Sequence, residues 1–279
     1  MTSPLCSSDE IDTPNHLTRD FREARRGTYA SAMADFDPSA YGASGIADEY
    51  DDLYAGHWDT DAAVGRLAEL AGRGKVLELG IGTGRLALPL QDRGVEVHAI
   101  EGSAEMVSKL RAKPGGDRVP VVVDDFAHGD AGRGFALVVL AVNTIFALPD
   151  QQAQVECFRN AARHLGPSGR FVVEAWVPDV GAFRHNRLVR PRIMGSDRVS
   201  IETAELDPVQ QMMRTTQTVF SNGSVRLYPA NHRYAWPAEL DLMAQLAGMR
   251  REHRWADWRR APFTAGSEAH VTVYRLPPG

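Results

Sequence analysis

The sequence has 279 residues, of which 43% are hydrophobic, and its formal net charge is −5. This length can bury one good core, and an acidic chain without a basic stripe disfavours a nucleic-acid partner. No apolar segment follows a basic start, and no run of about 18 apolar residues occurs, so we predict a cytoplasmic protein without a membrane span. The two cysteines, Cys6 and Cys157, are too few for a disulfide framework.

Strand-like and helix-like segments alternate from residue 61 onward, after an N-terminal tail at 1–19 that we predict to be disordered and a helical cap at 20–60. The predicted helices cover 61–72, 85–94, 103–113 and 151–166, and the predicted strands cover 75–80, 95–102, 119–126, 135–142 and 170–177. Ser103 and Asp150 are placed to cap the helices that follow them. Continuous apolar strands between amphipathic helices are typical of a parallel sheet covered on both faces.

The alternation stops near Pro178. Three strand-like segments follow, at 198–206, 212–221 and 224–236, and the Asn222-Gly223 pair between the last two is a strong hairpin signal. We therefore predict an antiparallel lid at 179–235, inserted into a core formed by 61–178 and 236–279. A helix beginning at Pro237 and two closing strands, within 253–258 and 270–276, complete that core.

A glycine-rich turn connects the first strand to a helix in the sequence VLELGIGTGR (76–85). Glycines in such a turn let the backbone approach a nucleoside closely, because a side chain there would block it. Glu101 ends the next strand, about 20 residues after Gly80, where a carboxylate accepts hydrogen bonds from both ribose hydroxyls. These two features fit NAD and S-adenosylmethionine (SAM) equally well.

Three details favour SAM over a dinucleotide. Arg85 stands where the dinucleotide fingerprint G-x-G-x-x-G/A requires Gly or Ala. Glu78 would repel a pyrophosphate but attract a sulfonium and an α-amino group. The third strand ends in Asp124-Asp125-Phe126, where an acid can accept a hydrogen bond from the adenine amino group.

With these motifs the chain resembles the class I SAM-dependent methyltransferases of small-molecule and natural-product type. The resemblance runs from about 45 to 275 and rests on VLELGIGTGR (76–85), AIEGSAEM (99–106), VDDF (123–126), VVLAVNTI (138–145) and LGPSGRFVVE (165–174). It implies a doubly wound, mostly parallel α/β sheet of seven strands, Rossmann-like, with an N-terminal helical segment and an antiparallel β lid. The cofactor-binding positions that it implies are Glu78, Gly80, Gly82, Gly84, Glu101, Gly102, Met106, Asp124, Asp125, Phe126 and Ala141.

Several roles follow from the resemblance. The glycines would line the methionine and ribose portions, and Met106 would pack on adenine. Because Asp124 stands where many relatives have glycine, either Asp124 or Asp125 could contact the adenine edge. IADEYDDLY (46–54) is similar to a segment that relatives place over the cofactor, so Tyr50 or Tyr54, with Tyr41 as a further candidate, would meet the carboxylate or sulfonium. We expect no metal.

The catalytic candidates are His232, Asn143 and Tyr29. His232 lies in the predicted lid and could serve as a general base, although a packing role is the alternative. Asn143 should lie at the carboxyl end of the central strand, where open α/β sheets bind their ligands, and Trp176 could form a wall there. Tyr29 is a weaker acid/base candidate, and Arg233 is expected to pair with a carboxylate.

We therefore predict a SAM-dependent methyltransferase that acts on a small-molecule acceptor in natural-product metabolism. Nitrogen, oxygen and an electron-rich aromatic carbon all remain open as the methylated atom, and so does a homodimer. The alternatives are an NAD(P)-dependent oxidoreductase of Rossmann type and a SAM-fold protein that binds a partner without catalysis.

Overall fold

The computed structural model describes residues 47, 50, 51 and 58–277. Within these residues, no helix combines the length and the apolar character needed to cross a membrane. The predicted tail at 1–19 and nearly all of the predicted cap at 20–60 lie outside the described residues.

A seven-stranded sheet forms the centre of the described chain. Its strands are β1 (Val76–Leu79), β2 (Val97–Glu101), β3 (Val121–Val123), β4 (Phe135–Leu140), β5 (Leu165–Trp176), β10 (Arg250–Trp255) and β11 (Ala269–Arg275). The spatial order is β10-β11-β5-β4-β1-β2-β3, with β11 antiparallel to both of its neighbours and every other pair parallel. The predicted doubly wound, mostly parallel sheet is confirmed, and the most apolar strand, β4, is central. Strand order reverses between β1 and β4, which is where open α/β sheets bind ligands.

Within residues 58–277, five α-helices flank this sheet: α1 (Thr60–Ala71), α2 (Ala87–Asp92), α3 (Ala104–Arg111), α4 (Gln151–His164) and α5 (Pro237–Leu246). The predicted caps of α3 and α4 are confirmed, because Ser103 accepts from the backbone N–H of Met106 and Asp150 from that of Ala153. Apolar side chains of α1, α2 and α3 pack on one face of the sheet, and those of α4 and α5 pack on the other. Both faces are therefore covered, which explains the continuous apolar strands.

The predicted insertion forms a separate antiparallel sheet of four strands, in the order β6-β7-β8-β9. These strands are β6 (Arg187–Met194), β7 (Arg198–Asp207), β8 (Met212–Ser221) and β9 (Ser224–Arg233). The predicted three strands and the turn at Asn222-Gly223 are present, with both turn residues at positive φ. Strand β6 was not predicted, because this edge strand contains three arginines and a proline and shows little alternation of apolar and polar residues.

A second difference concerns the start of β5, which was predicted at residue 170, after a helix over 151–166. The strand instead begins at Leu165, which pairs with Phe135, and the register then shifts so that Arg170 pairs with Leu137. Ser168 has a φ of 61°, so the extra residues form an irregularity inside the strand.

Candidate active site

The glycine turn after β1 contains three left-handed glycines with different surroundings. Gly80, Gly82 and Gly84 have φ values of 72°, 56° and 86°. A Cβ on Gly80 would lie 2.6 Å from Thr144 Cγ2, and one on Gly84 would lie 2.4 Å from Leu110 Cδ1. A Cβ on Gly82 would meet nothing within 4 Å. Gly80 and Gly84 are thus required for close packing, whereas Gly82 borders open space that a ligand can use.

Glu101 lies directly against this turn at the end of β2. Its Oε2 accepts a hydrogen bond of 2.8 Å from the backbone N–H of Gly82, and its Oε1 accepts one of 2.9 Å from that of Ser103. The side chain is almost completely buried. Burial raises the pKa of Glu101, although the backbone N–H groups of Gly82, Ser103 and Gly102 favour the ionised form. This carboxylate fixes the turn and lies where a ribose could reach it.

Glu78 is a buried acid in the middle of β1, with 4% of its surface exposed. Its Oε2 has no hydrogen-bond partner among the described residues. Burial raises the pKa of Glu78 to about 8, while the charge of Arg85 opposes this effect and that of Glu101 adds to it. An unsatisfied buried carboxylate oxygen is energetically unfavourable, so Glu78 is suited to a cationic ligand group.

The segment after β3 holds the predicted adenine-edge residues near the surface. Asp124 and Asp125 are exposed and Phe126 is half-buried. Asp124 Oδ1 accepts from the backbone N–H of Asp125, and Asp125 Oδ1 accepts from that of Ala127, both at 2.8 Å. Each carboxylate keeps a second oxygen for a ligand, so both aspartates stay candidates for the adenine contact.

The turn after β4 is the most strained part of the site. Val142 and Asn143 have φ values of 48° and 64°, and a β-branched residue in the left-handed region is a conformational outlier. Glu174 Oε2 accepts from the backbone N–H of Val142 at 3.0 Å, and its Oε1 accepts from the Trp258 indole at 2.7 Å. Neither Glu174 nor Trp258 was identified from the sequence, because their pairing links segments that are far apart in the chain.

Asn143 does lie at the carboxyl end of the central strand, as predicted. Its side-chain Oδ1, however, accepts a 2.7 Å hydrogen bond from the backbone N–H of Trp176. That bond ties the turn after β4 to the end of β5, and a catalytic role for Asn143 stays a prediction. The ring of Trp176 lies 4.6 Å from that of Phe146, centroid to centroid, and the two rings form a wall here.

The described part of the N-terminal segment lies against the glycine turn and α3. Ala47 and Tyr50 pack in one cluster with Met106 of α3 and with Val219 and Tyr228 of the four-stranded sheet. Tyr50, a predicted cofactor residue, is thus brought next to Met106, the predicted adenine residue. Tyr29, Tyr41 and Tyr54 lie outside the described residues.

A polar anchor also joins this segment to the site, and the sequence analysis missed it. Asp51 Oδ1 accepts a 2.6 Å hydrogen bond from Thr83 Oγ1, and Lys113 Nζ lies 2.6 Å from Asp51 Oδ2. Lys113 also donates to the backbone carbonyl of Thr83 at 2.9 Å. Lysine occurs only at positions 75, 109 and 113, but this composition does not indicate that Lys113 pairs with Asp51.

The inner face of the four-stranded sheet contacts the site at two places. Tyr228 and Val219 reach Met106, while Leu206 and Met213 pack against Trp176. His232 lies on this same face, opposite Met213. Its Nδ1 is buried without a hydrogen-bond partner among the described residues, and burial lowers its pKa to about 4, although Glu202 acts in the opposite direction. His232 is therefore neutral at pH 7.

Arg233, the next residue, is on the opposite side of β9 and is buried. Its Nη2 lies 2.7 Å from Glu239 Oε1, which confirms the expected structural ion pair. Strand β9 therefore has two different faces: Tyr228 and His232 lie on the face towards the site, while Arg233 lies on the other face and pairs with Glu239.

A glycine turn beside a carboxylate at the switch point of a seven-stranded sheet is the arrangement of class I SAM-dependent methyltransferases, and the chain belongs to this family. A family model described as a methyltransferase domain matches residues 76–169. The chain is similar to the CcbJ methyltransferase of Streptomyces caelestis, with 40% sequence identity and a TM-score of 0.80 over 86% of this chain and 99% of that one. The protein is a methyltransferase, and its cofactor is S-adenosylmethionine.

Two further relatives are more distant. The cypemycin N-terminal methyltransferase of a Streptomyces species is 27% identical over 203 residues, which cover 71% of this chain and 81% of that protein. The sugar N-methyltransferase KedS8 from a Streptoalloteichus species shares the fold, with 18% identity and a TM-score of 0.55 over 99% of this chain and 98% of its own. These relatives are methyltransferases, and none supports the oxidoreductase alternative.

Proposed function

We propose that this methyltransferase transfers the methyl group of SAM to an amine nitrogen of a small natural-product acceptor, held between the turn after β4 and the four-stranded sheet. The observation that carries the proposed cofactor site is the buried Oε2 of Glu78, which has no hydrogen-bond partner among the described residues and belongs to the strand that leads into the glycine turn. A cationic cofactor would satisfy that oxygen, whereas a diphosphate would be repelled by it.

The proposed cofactor contacts follow the order of the strands. Glu78 attracts the positively charged methionine end, and Gly82, with the backbone near Ala141, leaves room for it. Glu101, with Gly102 beside it, accepts from the ribose hydroxyls. The adenine lies between Met106 and the segment after β3, where the contact residues are Asp124 or Asp125 and Phe126, and Tyr50 covers the cofactor from the N-terminal side.

The remaining work of the protein is alignment and exclusion of water. When bound, SAM supplies a methyl group activated by its sulfonium charge, and its transfer leaves a neutral thioether. The chain has to hold the acceptor atom in line with that methyl group. Holding the two reactants in this geometry accelerates the reaction, because the entropy of bringing them together has already been lost on binding. The wall of Phe146 and Trp176 and the inner face of the four-stranded sheet, used as a lid, would provide this position.

A nitrogen acceptor fits the protonation state of His232. A neutral amine attacks with its own lone pair and then has to lose one proton from the methylated ammonium product. An imidazole with a pKa of about 4 is unprotonated at pH 7, so its Nδ1, which has no hydrogen-bond partner among the described residues, is available to accept that proton. One similar protein is named the cypemycin N-terminal methyltransferase, and another, KedS8, is named a sugar N-methyltransferase.

The test is an acceptor screen with isotopically labelled SAM, using pairs of natural-product compounds that differ only in an amino or a hydroxyl group at one position. We expect label in the amino member of a pair and little in its hydroxyl counterpart. Label transferred only to hydroxyl or ring-carbon acceptors would contradict the proposed nitrogen acceptor while leaving the methyltransferase activity in place.

A further inference from the structure

Helix α4 carries two side-chain amides in the hydrophobic interior, Gln154 and Asn160. They are 0% and 1% exposed, although the helix packs against an apolar sheet face. A buried polar group has to be hydrogen-bonded or it destabilises the fold, so their partners indicate why they are there. Each amide uses its NH₂ group to donate hydrogen bonds to two backbone carbonyls.

Asn160 forms hydrogen bonds with the segment after β3. Its Nδ2 donates to the carbonyl of Phe126 at 3.0 Å and to that of Gly129 at 2.9 Å. These two bonds fix the turn that follows Asp124 and Asp125. The turn is on the adenine side of the proposed cofactor site.

Gln154 forms hydrogen bonds on the acceptor side of the proposed site. Its Nε2 donates to the carbonyl of Ile145 at 3.0 Å and to that of Arg233 at 2.7 Å. Ile145 belongs to the 3₁₀ helix Thr144–Ala147 after β4, and Arg233 is the last residue of β9. One amide group thus connects the strained turn of the central sheet to the strand that carries His232.

Further hydrogen bonds reinforce the contact between Gln154 and the end of β9. Arg233 Nη1 donates to Gln154 Oε1 at 2.7 Å, and Gln211, between β7 and β8, donates to Glu239 Oε2 at 2.9 Å. Since Glu239 also pairs with Arg233, the end of the four-stranded sheet is attached to both α4 and α5. Such a network has to be complete to be stable, because each missing partner leaves a buried polar group unpaired.

We propose that Gln154 is a positioning residue for the acceptor, and that Asn160 is the corresponding residue for the adenine side. Gln154 sets the distance between the 3₁₀ helix, which carries Phe146, and β9, which carries His232. The inference rests on the proposed function, in which the acceptor lies between these two segments. It predicts that two chemically similar substitutions on one helix will separate acceptor binding from cofactor binding.

The experiment compares Gln154→Leu and Asn160→Leu with Gln152→Leu, which alters an exposed glutamine of the same helix. Calorimetry gives the dissociation constant of SAM, and steady-state kinetics give KM for the acceptor and kcat. For Gln154→Leu we expect acceptor kcat/KM to fall by about tenfold or more with SAM affinity changed by less than about twofold. For Asn160→Leu we expect SAM affinity to fall by about tenfold, and for Gln152→Leu no change in either quantity.

Two outcomes would overturn the inference: equal losses of acceptor and SAM binding in Gln154→Leu, or no loss of either. Should Gln154→Leu fail to fold, Gln154→Glu keeps an acceptor for Arg233 and removes the donors to the two carbonyls. Hydrogen exchange of the β9 amides is measured in the same variants without any acceptor, and we expect faster exchange in the Gln154 variants only. Unchanged exchange refutes the inference, whereas a wild type that finds no amine acceptor refutes the proposed function.

Discussion

The carboxyl group of Glu78 is buried in β1, and with a pKa of about 8 it is mostly protonated in the free protein at pH 7. Because this pKa is raised on folding, the contribution of the group to stability is complete below about pH 4.5 and is lost as the pH rises through about 8. A cationic ligand that contacts the carboxylate favours ionisation and lowers the pKa. SAM binding near neutral pH should therefore release a proton from Glu78.

Glu78→Gln should remove this proton release and weaken SAM binding by about tenfold or more, because the attraction between the carboxylate and the cation is lost. The measurement is calorimetry at pH 7 in two buffers with different ionisation enthalpies, which separates proton release from the heat of binding. Asp92→Asn, a change at an exposed acid, is the control. Equal proton release by the wild type and Glu78→Gln would show that Glu78 does not contact the charged end of the cofactor.

Burial lowers the pKa of His232 to about 4, so its imidazole is unprotonated at pH 7. If it acts as the base, His232→Ala should lower kcat by about a hundredfold, while SAM affinity stays the same. The pKa of about 4 predicts a wild-type rate that is flat between pH 6 and pH 8 with respect to this group and falls as the pH drops towards 4. Asn231→Ala, at an exposed position beside it in β9, is the control.

A near-normal kcat for His232→Ala would assign the imidazole to packing against Met213. A rate that instead changes around pH 6.5 in the wild type and loses this change in His232→Ala would contradict the low pKa. The two measurements thus test the role and the environment of His232 separately.

At the scale of the elements, the turn after β4 is the feature that depends most on side chains from distant parts of the chain. Two successive non-glycine residues in left-handed conformations cost about 1–3 kcal/mol each and persist only when the surroundings hold them. Glu174 holds Val142 by accepting a hydrogen bond from the Val142 backbone N–H. Asn143 is held by the hydrogen bond that its side chain accepts from the backbone N–H of Trp176. Strain of this kind beside Gly80 is typical of a functional site.

Glu174→Gln should destabilise the protein by about 1–3 kcal/mol, because one of the N–H donors of Val142 and Trp258 then faces an NH₂ group and loses its acceptor. Urea denaturation at pH 7 measures the free energy of unfolding, with Glu268→Gln as the control at an exposed acid. An unfolding free energy equal to that of the wild type would mean that Glu174 does not hold the turn.

The sequence was sufficient to predict the elements whose signals are local. Ser103 and Asp150 cap their helices as expected, and the Asn222-Gly223 hairpin is present. Strand β6 was missed because its residues are mostly exposed and polar, so that only pairing with β7 makes it a strand. Periodicity reports burial, and an exposed edge strand has little of it.

The residues of the site also differ in whether a local sequence signal reveals them. The glycine turn and Glu101 could be predicted because their roles depend on the backbone and on the end of a strand. Gln154, Glu174 and Asp51 could not, since each acts through a partner that is distant in sequence. The hydrogen bond that Asn143 accepts from the backbone N–H of Trp176 could not be predicted either, for the same reason.

At the scale of the whole molecule, two sheets enclose the site from opposite sides. The parallel sheet presents the glycine turn and the turn after β4, and the antiparallel sheet reaches Met106 at one end and Trp176 at the other. Its other face exposes Val189, Val225 and Leu227, so the inner face is the one shaped for the site. The account depends on SAM occupying the space beside Gly82.

The most direct test is a calorimetric titration of the wild type and Gly82→Val with SAM, together with the thermal unfolding midpoint of both. A Cβ at Gly82 meets no protein atom within 4 Å, so the valine side chain would extend into the proposed cofactor space, and the φ of 56° adds local backbone strain to this effect. We predict that Gly82→Val remains folded and shows no SAM binding. A folded Gly82→Val that binds SAM as tightly as the wild type would contradict the assignment of the glycine turn as the cofactor site.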